Sequence, residues 1–277
     1  MNTQTPEPLM IMCAPNGARK TADDHPQLPI TPDQLATCAR DILQAGASVL
    51  HLHVRADTAR HSLSPQRYRH AMTDIHAAVG DQLVIQVTTE AVGIYSREQQ
   101  MAAVHELKPE AVSLALRELC PDEASVTDSA GFFNWCHRQK IWAQYILYSP
   151  AEVTRFVELQ SRGVFGPGPV SVLFVLGRYS QDLTGHPQEL QAFIEAWDER
   201  CGNWTCCCFG ATEQQAMLLA ARAGGHVRLG FENNMHLPDG RIAQDNTELL
   251  NDFISQLTPS GRALASADDI RQRFFPK

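Results

Sequence analysis

Two histidines one residue apart, His51-Leu52-His53, and a distant carboxylate, Glu232, are the side-chain types a catalytic zinc centre uses. Along an extended strand alternate side chains share a face. His51, His53 and Arg55 therefore point one way, and Leu52 and Val54 the other. Two neutral imidazoles at this spacing reach a single divalent ion. They also suit two hydrogen-bonded core histidines, and spacing alone leaves both readings open. Glu232, in the segment Val227-Arg228-Leu229-Gly230-Phe231-Glu232-Asn233-Asn234, adds an oxygen ligand if its strand lies nearby. Two imidazoles and one carboxylate leave positions free for water or substrate, which is a catalytic arrangement rather than a structural one. Taken alone, Glu232 equally suits a helix cap or a surface acid. Arg228 places a fixed positive charge in the same segment.

Residues so far apart in sequence meet only if the fold brings them together. The 277-residue chain alternates short apolar runs with longer amphipathic ones. Strands are predicted at Leu9–Cys13, Val49–Val54, Leu83–Val87, Ala111–Leu114, Ile141–Ile146, Val170–Val175, Trp204–Cys208 and Val227–Leu229. Continuous Val, Ile and Leu fit parallel strands covered on both faces. Helical patterns fall near 33–45, 66–79, 97–106, 129–139, 151–162, 187–198, 212–223 and 246–257. Thr31-Pro32-Asp33-Gln34 has the residues of a capping box, with proline at the first helical position. The alternation predicts an α/β fold, a single (β/α)8 TIM barrel spanning 1–277, with a short C-terminal extension after about residue 259 packed outside the barrel. A doubly wound open sheet is the alternative, but the glycine-rich phosphate turn such a fold usually carries after its first strand is missing.

Barrel enzymes work at the C-terminal ends of their strands. The last predicted strand closes beside the first and lies one strand away from the second, so Glu232 can stand beside the histidines. After the first strand, Gly17 permits a tight turn at the pocket floor. Arg19-Lys20-Thr21 superficially resembles a P-loop ending but lacks the glycine spacing. The third strand ends in Thr88-Thr89-Glu90, whose hydroxyls are candidates to hold a substrate carboxylate or carbonyl. Arg117, Tyr145–Tyr148 and Arg178-Tyr179 follow the fourth, fifth and sixth strands and face either the pocket or solvent. His25, His61, His70, His76, His105 and His186 are assigned core or surface roles, and Cys136-His137 a packing role.

Apolar residues are 44% and charged residues 19%, enough to build a core and too ordinary for a disordered tail. A net charge of −8 argues against nonspecific nucleic-acid binding or electrostatic attachment to anionic lipid. No apolar run is long enough to span a bilayer, and Met1–Pro8 is polar, so a soluble cytoplasmic protein is expected. Eight cysteines without a CxxC pair read as reduced thiols, three of them, Cys206, Cys207 and Cys208, buried in a strand.

Taken together, His51-Leu52-His53-Val54-Arg55, Leu28-Pro29-Ile30-Thr31-Pro32, Phe174-Val175-Leu176-Gly177 and Gly225-His226-Val227-Arg228-Leu229-Gly230-Phe231-Glu232 resemble the β-keto acid cleavage enzymes. The resemblance runs from about Met10 to about Gln256. It implies a (β/α)8 barrel, a homotetramer, and a zinc ion held by His51, His53 and Glu232, although Co, Mn or Ni suits such ligands too. Arg228 matches the arginine that supports the catalytic acid/base. The implied reaction converts an anionic β-keto acid and acetyl-CoA into acetoacetate and a new CoA thioester. A divalent ion on the keto oxygen would act as a Lewis acid there.

The chain departs from the family pattern around that site. Asn233 stands where the family has the aspartate that exchanges protons, and an amide is no base near neutral pH. Arg19 replaces an acid, Glu90-Ala91 replaces a glycine pair, and Ala115-Leu116-Arg117 replaces an Asn-Ala-Gly-like turn. These changes make the pocket rim more positive. Two expectations follow: a substrate with more negative charge and no amine, such as a dicarboxylic keto acid, and Glu90 serving as the relocated acid/base. The candidate site is then Arg228, Asn233 and Glu90 for catalysis, Thr88, Thr89, Arg19 and Arg117 for substrate, and His51, His53 and Glu232 for metal. CoA-independent lyase chemistry and ligand binding without turnover are the rival readings.

Overall fold

Eight short, buried strands pair in parallel and close on themselves in a computed structural model of the chain, which describes residues 7–257 and 262–277. The barrel strands are β1 (Ile11–Cys13), β2 (Val49–Leu52), β3 (Val84–Thr88), β4 (Ala111–Ala115), β5 (Trp142–Leu147), β6 (Val170–Leu176), β7 (Gly202–Cys208) and β8 (His226–Leu229). Each pairs with its sequence neighbours, and β8 closes on β1 through Ile11 opposite Val227 and Cys13 opposite Leu229. The chain is thus a (β/α)8 TIM barrel, and all eight predicted strands are present.

Each strand is followed by a main helix: α1 (Pro32–Ala45), α2 (Pro65–Val79), α3 (Arg97–Leu107), α4 (Val126–Arg138), α5 (Pro150–Ser161), α6 (Glu189–Ala196), α7 (Glu213–Arg222) and α8 (Asn246–Ser255). Their starts carry local chemistry. Thr31 caps α1 in the predicted capping box with Gln34, and Ser64, Ser96, Ser149 and Asp245 each accept from a first-turn amide. Among the described residues no helix is long and apolar enough to cross a membrane.

One feature differs from the expected layout and another refines it. The second strand ends at Leu52. Beyond it, Val54–Arg55 pairs antiparallel with His61–Ser62 in a small hairpin above the barrel. Arg55 anchors that hairpin by donating to the carbonyls of Asn16, Gly17 and Lys20 in the loop after β1. The tail, predicted to lie outside the barrel, packs over its N-terminal mouth, a place the sequence did not specify. Its boundary near residue 259 falls outside the described residues. Leu264 bridges to Leu9, and α9 (Ala267–Phe274) follows. Ala265, Ala267 and Ile270 pack against Met10, Met12, Val49, Val84 and Trp142, the inward side chains at the strand starts. Arg271 fixes α9 by donating to Glu110 and to the carbonyls of Asp81 and Leu83.

Above this apolar plug the barrel interior turns polar. Gln86, Gln144 and Thr205 are buried inside it and linked, Gln86 Nε2 to Gln144 Oε1 at 3.2 Å and Gln144 Nε2 to Thr205 Oγ1 at 3.0 Å. Buried amides are tolerated only when so paired. This row forms the floor on which the next layer of side chains stands.

Candidate active site

His51 and His53 rise from the end of β2, and Glu232 from the turn after β8. Their ligand atoms converge. His51 Nε2 and His53 Nε2 are 3.2 Å apart, and Glu232 Oε2 lies 3.6 Å from the first and 3.2 Å from the second. A tetrahedral ion with bonds of about 2.0–2.1 Å needs ligand atoms roughly 3.3–3.4 Å apart. The three atoms match that triangle. Glu232 Oε2 is buried and accepts no hydrogen bond, an orphaned acceptor facing two imidazole nitrogens. Among the described residues, His51, His53 and Glu232 are the side chains grouped closely enough to hold a metal ion.

Protonation suits that role. Gln86 Nε2 is spent on Gln144, so Gln86 Oε1 receives the Nδ1 proton of His51 at 2.8 Å and leaves the Nε2 lone pair facing Glu232. Burial pushes His51 down to about 3, which keeps the ring neutral. Burial alone would raise the Glu232 carboxyl, yet Arg228 and the two histidines hold it well below the usual carboxylate range.

Arg228, buried at the end of β8, donates to Glu232 Oε1 and Asn233 Oδ1, both at 3.0 Å. Asn233 is held from its other side, where Nδ2 donates to Glu213 Oε1 at 3.3 Å. Glu213, fully buried at the start of α7, also accepts from Gly230 N and Asn234 Nδ2, and burial raises it to about 8. Sequence reading took Glu213 only as part of a helix. A lone acid in a helix start carries no signal of the three donors that fold back onto it. The turn after β1 packs tightly below. Gly17 has φ +59°, and a Cβ there would lie 2.6 Å from Glu232 Cγ. Lys20 Nζ donates to the carbonyls of Phe231 and Glu232, clamping the segment that carries the carboxylate.

Two cavities meet at this place. The inner one, about 20 Å³, is lined by His51, His53, Glu232, Arg228, Thr88, Thr89, Glu90 and Arg178, with Ser113, Tyr148 and an apolar wall of Ala115, Ile146, Val175 and Phe209. The outer one, about 280 Å³, shares Glu90, Arg178, Phe209 and Glu232 and opens past Arg19, Lys20, Asn233 and His236. The structure therefore gathers the three candidate ligands with Arg228, Thr88, Thr89 and Glu90, and puts Arg19 and Asn233 on the outer side. Thr88 Oγ1 accepts from Glu90 N, and Thr89 Oγ1 donates to Ser113 O. Arg117 lines neither cavity. It pairs with Glu152 at 2.7 Å between the rings of Tyr148 and Tyr179, so it braces a cavity-wall tyrosine.

Sequence reading also missed three neighbours. His61, given no partner there, has its ring 5.4 Å from that of His53 and its Nε2 2.9 Å from Glu90 O; the hairpin brings it back. Gln86 was legible as a polar residue in phase with Thr88 on a buried strand. Ser113, whose Oγ is buried and unpartnered, carried the same signal two residues before Ala115.

Comparison with known proteins points to one family. A family model described as beta-keto acid cleavage enzyme matches residues 8–274. The 3-keto-5-aminohexanoate cleavage enzyme of Fusobacterium nucleatum is 28% identical over 271 residues, covering 96% of this chain and 97% of that protein. The 3-oxoadipate:acetyl-CoA acetyltransferase of Cupriavidus necator is 24% identical over 96% of this chain and 94% of its own. The apo structure of ObcA superposes with a TM-score of 0.70 at 16% identity, over 91% of this chain and 66% of that one, a likeness of fold.

Proposed function

The chain belongs to the β-keto acid cleavage enzyme family, and from that premise we propose that it cleaves an anionic β-keto acid with acetyl-CoA in a metal-dependent retro-Claisen reaction, giving acetoacetate and a new CoA thioester. The observation that carries this reading is the triangle of His51 Nε2, His53 Nε2 and Glu232 Oε2, with Arg228 bonded to its carboxylate. Zinc is the ion the donor set favours. Bound there, it would polarise the keto group and stabilise enolate charge.

The protein's own groups divide the remaining work. Arg228 fixes the orientation of Glu232 and adds positive charge for an anionic substrate. Ser113 Oγ, with no protein partner, and the Thr88 hydroxyl, whose proton is uncommitted, would donate to the substrate carboxylate, with Thr89 beside them on the cavity wall. Asn233 has its carbonyl oxygen on Arg228 and its amino group on Glu213, and an amide is no base. Glu90 is the carboxylate of the inner cavity outside the metal triangle, and it takes the proton. The C–H bond between keto group and carboxylate breaks, the proton passes to Glu90, and the electron pair moves toward the keto oxygen. The enolate carbon then attacks the acetyl carbonyl, forming a C–C bond as the acetyl C–S bond breaks and CoA thiolate leaves. The thiolate adds to the substrate's keto carbon, the bond from that carbon to the former enolate carbon breaks, and the released acetoacetate carbanion recovers its proton from Glu90 while the acyl fragment leaves on the CoA sulfur. The wide outer cavity is the approach for acetyl-CoA.

Zinc-reconstituted protein given acetyl-CoA and a panel of β-keto acids tests this. The expected result is acetoacetate release that requires acetyl-CoA and falls to background in His51→Ala, which also loses its bound zinc. Cleavage without CoA, or ligand binding with no turnover at any pH, overturns it.

A further inference from the structure

Glu90, just past β3, and Arg178, just past β6, reach toward each other over the top of the barrel, Nη2 to Oε1 at 3.4 Å. Both side chains line the inner and the outer cavity, so the ion pair stands in the passage between them. The inner chamber has room for roughly one water molecule. A substrate whose reacting end reaches His51, His53 and Glu232 must therefore part this pair.

The cations around the passage differ in how firmly they are committed. Arg228 is bonded to Glu232 and Asn233, Arg117 to Glu152, and Lys20 to two backbone carbonyls. Arg178 lies over the rings of Phe209 and Tyr179, 5.5 and 5.7 Å from their centroids, and its contact with Glu90 is long for a charge-assisted bond. On the Glu90 side the main chain is fixed at both ends. Its N–H donates to Thr88 Oγ1 at 3.0 Å, and its carbonyl faces His61 Nε2 at 2.9 Å. Only the carboxylate arm can swing. The neighbouring wall of Ala115, Ile146, Val175 and Phe209 offers a carbon chain apolar contact and no other charge.

We propose that Arg178 reads a second carboxylate at the far end of the substrate, which makes a dicarboxylic β-keto acid the preferred class. The incoming carboxylate takes Arg178 from Glu90, so one ion pair replaces another and the passage opens. Glu90, released from its cation, is left beside the reacting carbon. A neutral end cannot make this exchange, and an amine would meet Arg178 as a like charge. The inference rests on the reading of the inner cavity as a β-keto acid site.

The test uses the zinc-loaded full chain and two substrates of equal carbon length, 3-oxoadipate and 3-oxohexanoate, with acetoacetate as the readout. Wild type should favour the dicarboxylate in kcat/KM by about 30-fold or more, and Arg178→Met should collapse that ratio, mainly through the KM of the dicarboxylate. Arg178→Lys should restore part of it. A ratio near one in wild type, or one unmoved by Arg178→Met, overturns the proposal. Calorimetric titration of the unreactive probes adipate and hexanoate into wild type and Arg178→Met separates the two claims. Adipate binding that depends on Arg178 without turnover of any keto acid sinks the reaction and keeps the carboxylate reader. Turnover with equal binding of both probes sinks the reader alone. Zinc content and melting temperature matching wild type certify that each variant is folded.

Discussion

His51 and Gln86 occupy paired positions on β2 and β3, and His51 Nδ1 lies 2.8 Å from Gln86 Oε1. This contact decides which ring nitrogen keeps its lone pair. Gln86→Leu removes the acceptor, frees the ring to take the other tautomer and leaves Gln144 with an unmet carbonyl. Zinc affinity, measured by competition with a chromophoric chelator, should fall about 10- to 100-fold. An affinity equal to wild type would mean that the ring is oriented without Gln86.

Gly17→Ala tests the contact beneath the carboxylate. The new methyl would collide with Glu232 Cγ, and the positive φ adds strain of about 1 kcal/mol. Gly163, with φ +75° and open space around it, is the control, since alanine there carries the strain without the collision. Both variants should melt a few degrees lower, and only Gly17→Ala should weaken zinc binding. Equal zinc binding in the two variants would show that Glu232 adjusts freely.

The barrel and the meeting of His51, His53 and Glu232 were legible because both depend on short-range patterns. Buried parallel strands write themselves as apolar runs, and His51-Leu52-His53 follows the period of a strand. Closure of β8 on β1 then brings Glu232 into reach. The groups that line and flank the cavities were less legible, because long side chains choose partners across loops. Glu90 was singled out as an acid without its cation, and Arg178 as a residue at a strand end without its acid. Arg117 was read without Glu152, the partner on α5 that holds it. His61 returned to His53 through a hairpin of two-residue strands, too short to leave a period. The tail helix was not among the predicted helices, and nothing in its sequence named the barrel mouth as its docking place.

Glu118 predicts a pH effect on stability. Its Oε2 accepts from Ala91 N beneath the Glu90 loop, and burial pushes it up to about 7 from 4.5. A carboxyl raised on folding favours the native state fully below its unfolded value and loses that contribution as pH climbs through the folded one. Wild type should therefore lose stability between pH 4.5 and about 7 relative to Glu118→Gln, by on the order of 1–2 kcal/mol after allowing for partial solvent access. Thermal melts of the two proteins across that window check it. Parallel curves would place the ionisation elsewhere.

Asn233 and Glu213 form a matched pair, amide donor on carboxyl acceptor at 3.3 Å. Asn233→Asp would set a second acid against Glu213. Burial raises Glu213 to about 8, so near neutral pH its proton can be shared with the new carboxylate. As pH rises past that value the two carboxylates face each other charged. Asn233→Asp should then cost little stability at pH 6 and much more at pH 9. In Asn233→Asp with Glu213→Gln, the glutamine amide donates to the aspartate and the pH dependence should disappear. A double-mutant cycle at pH 9 should give a coupling of about 1–2 kcal/mol. Additive effects at both pH values would mean that the two side chains are energetically independent.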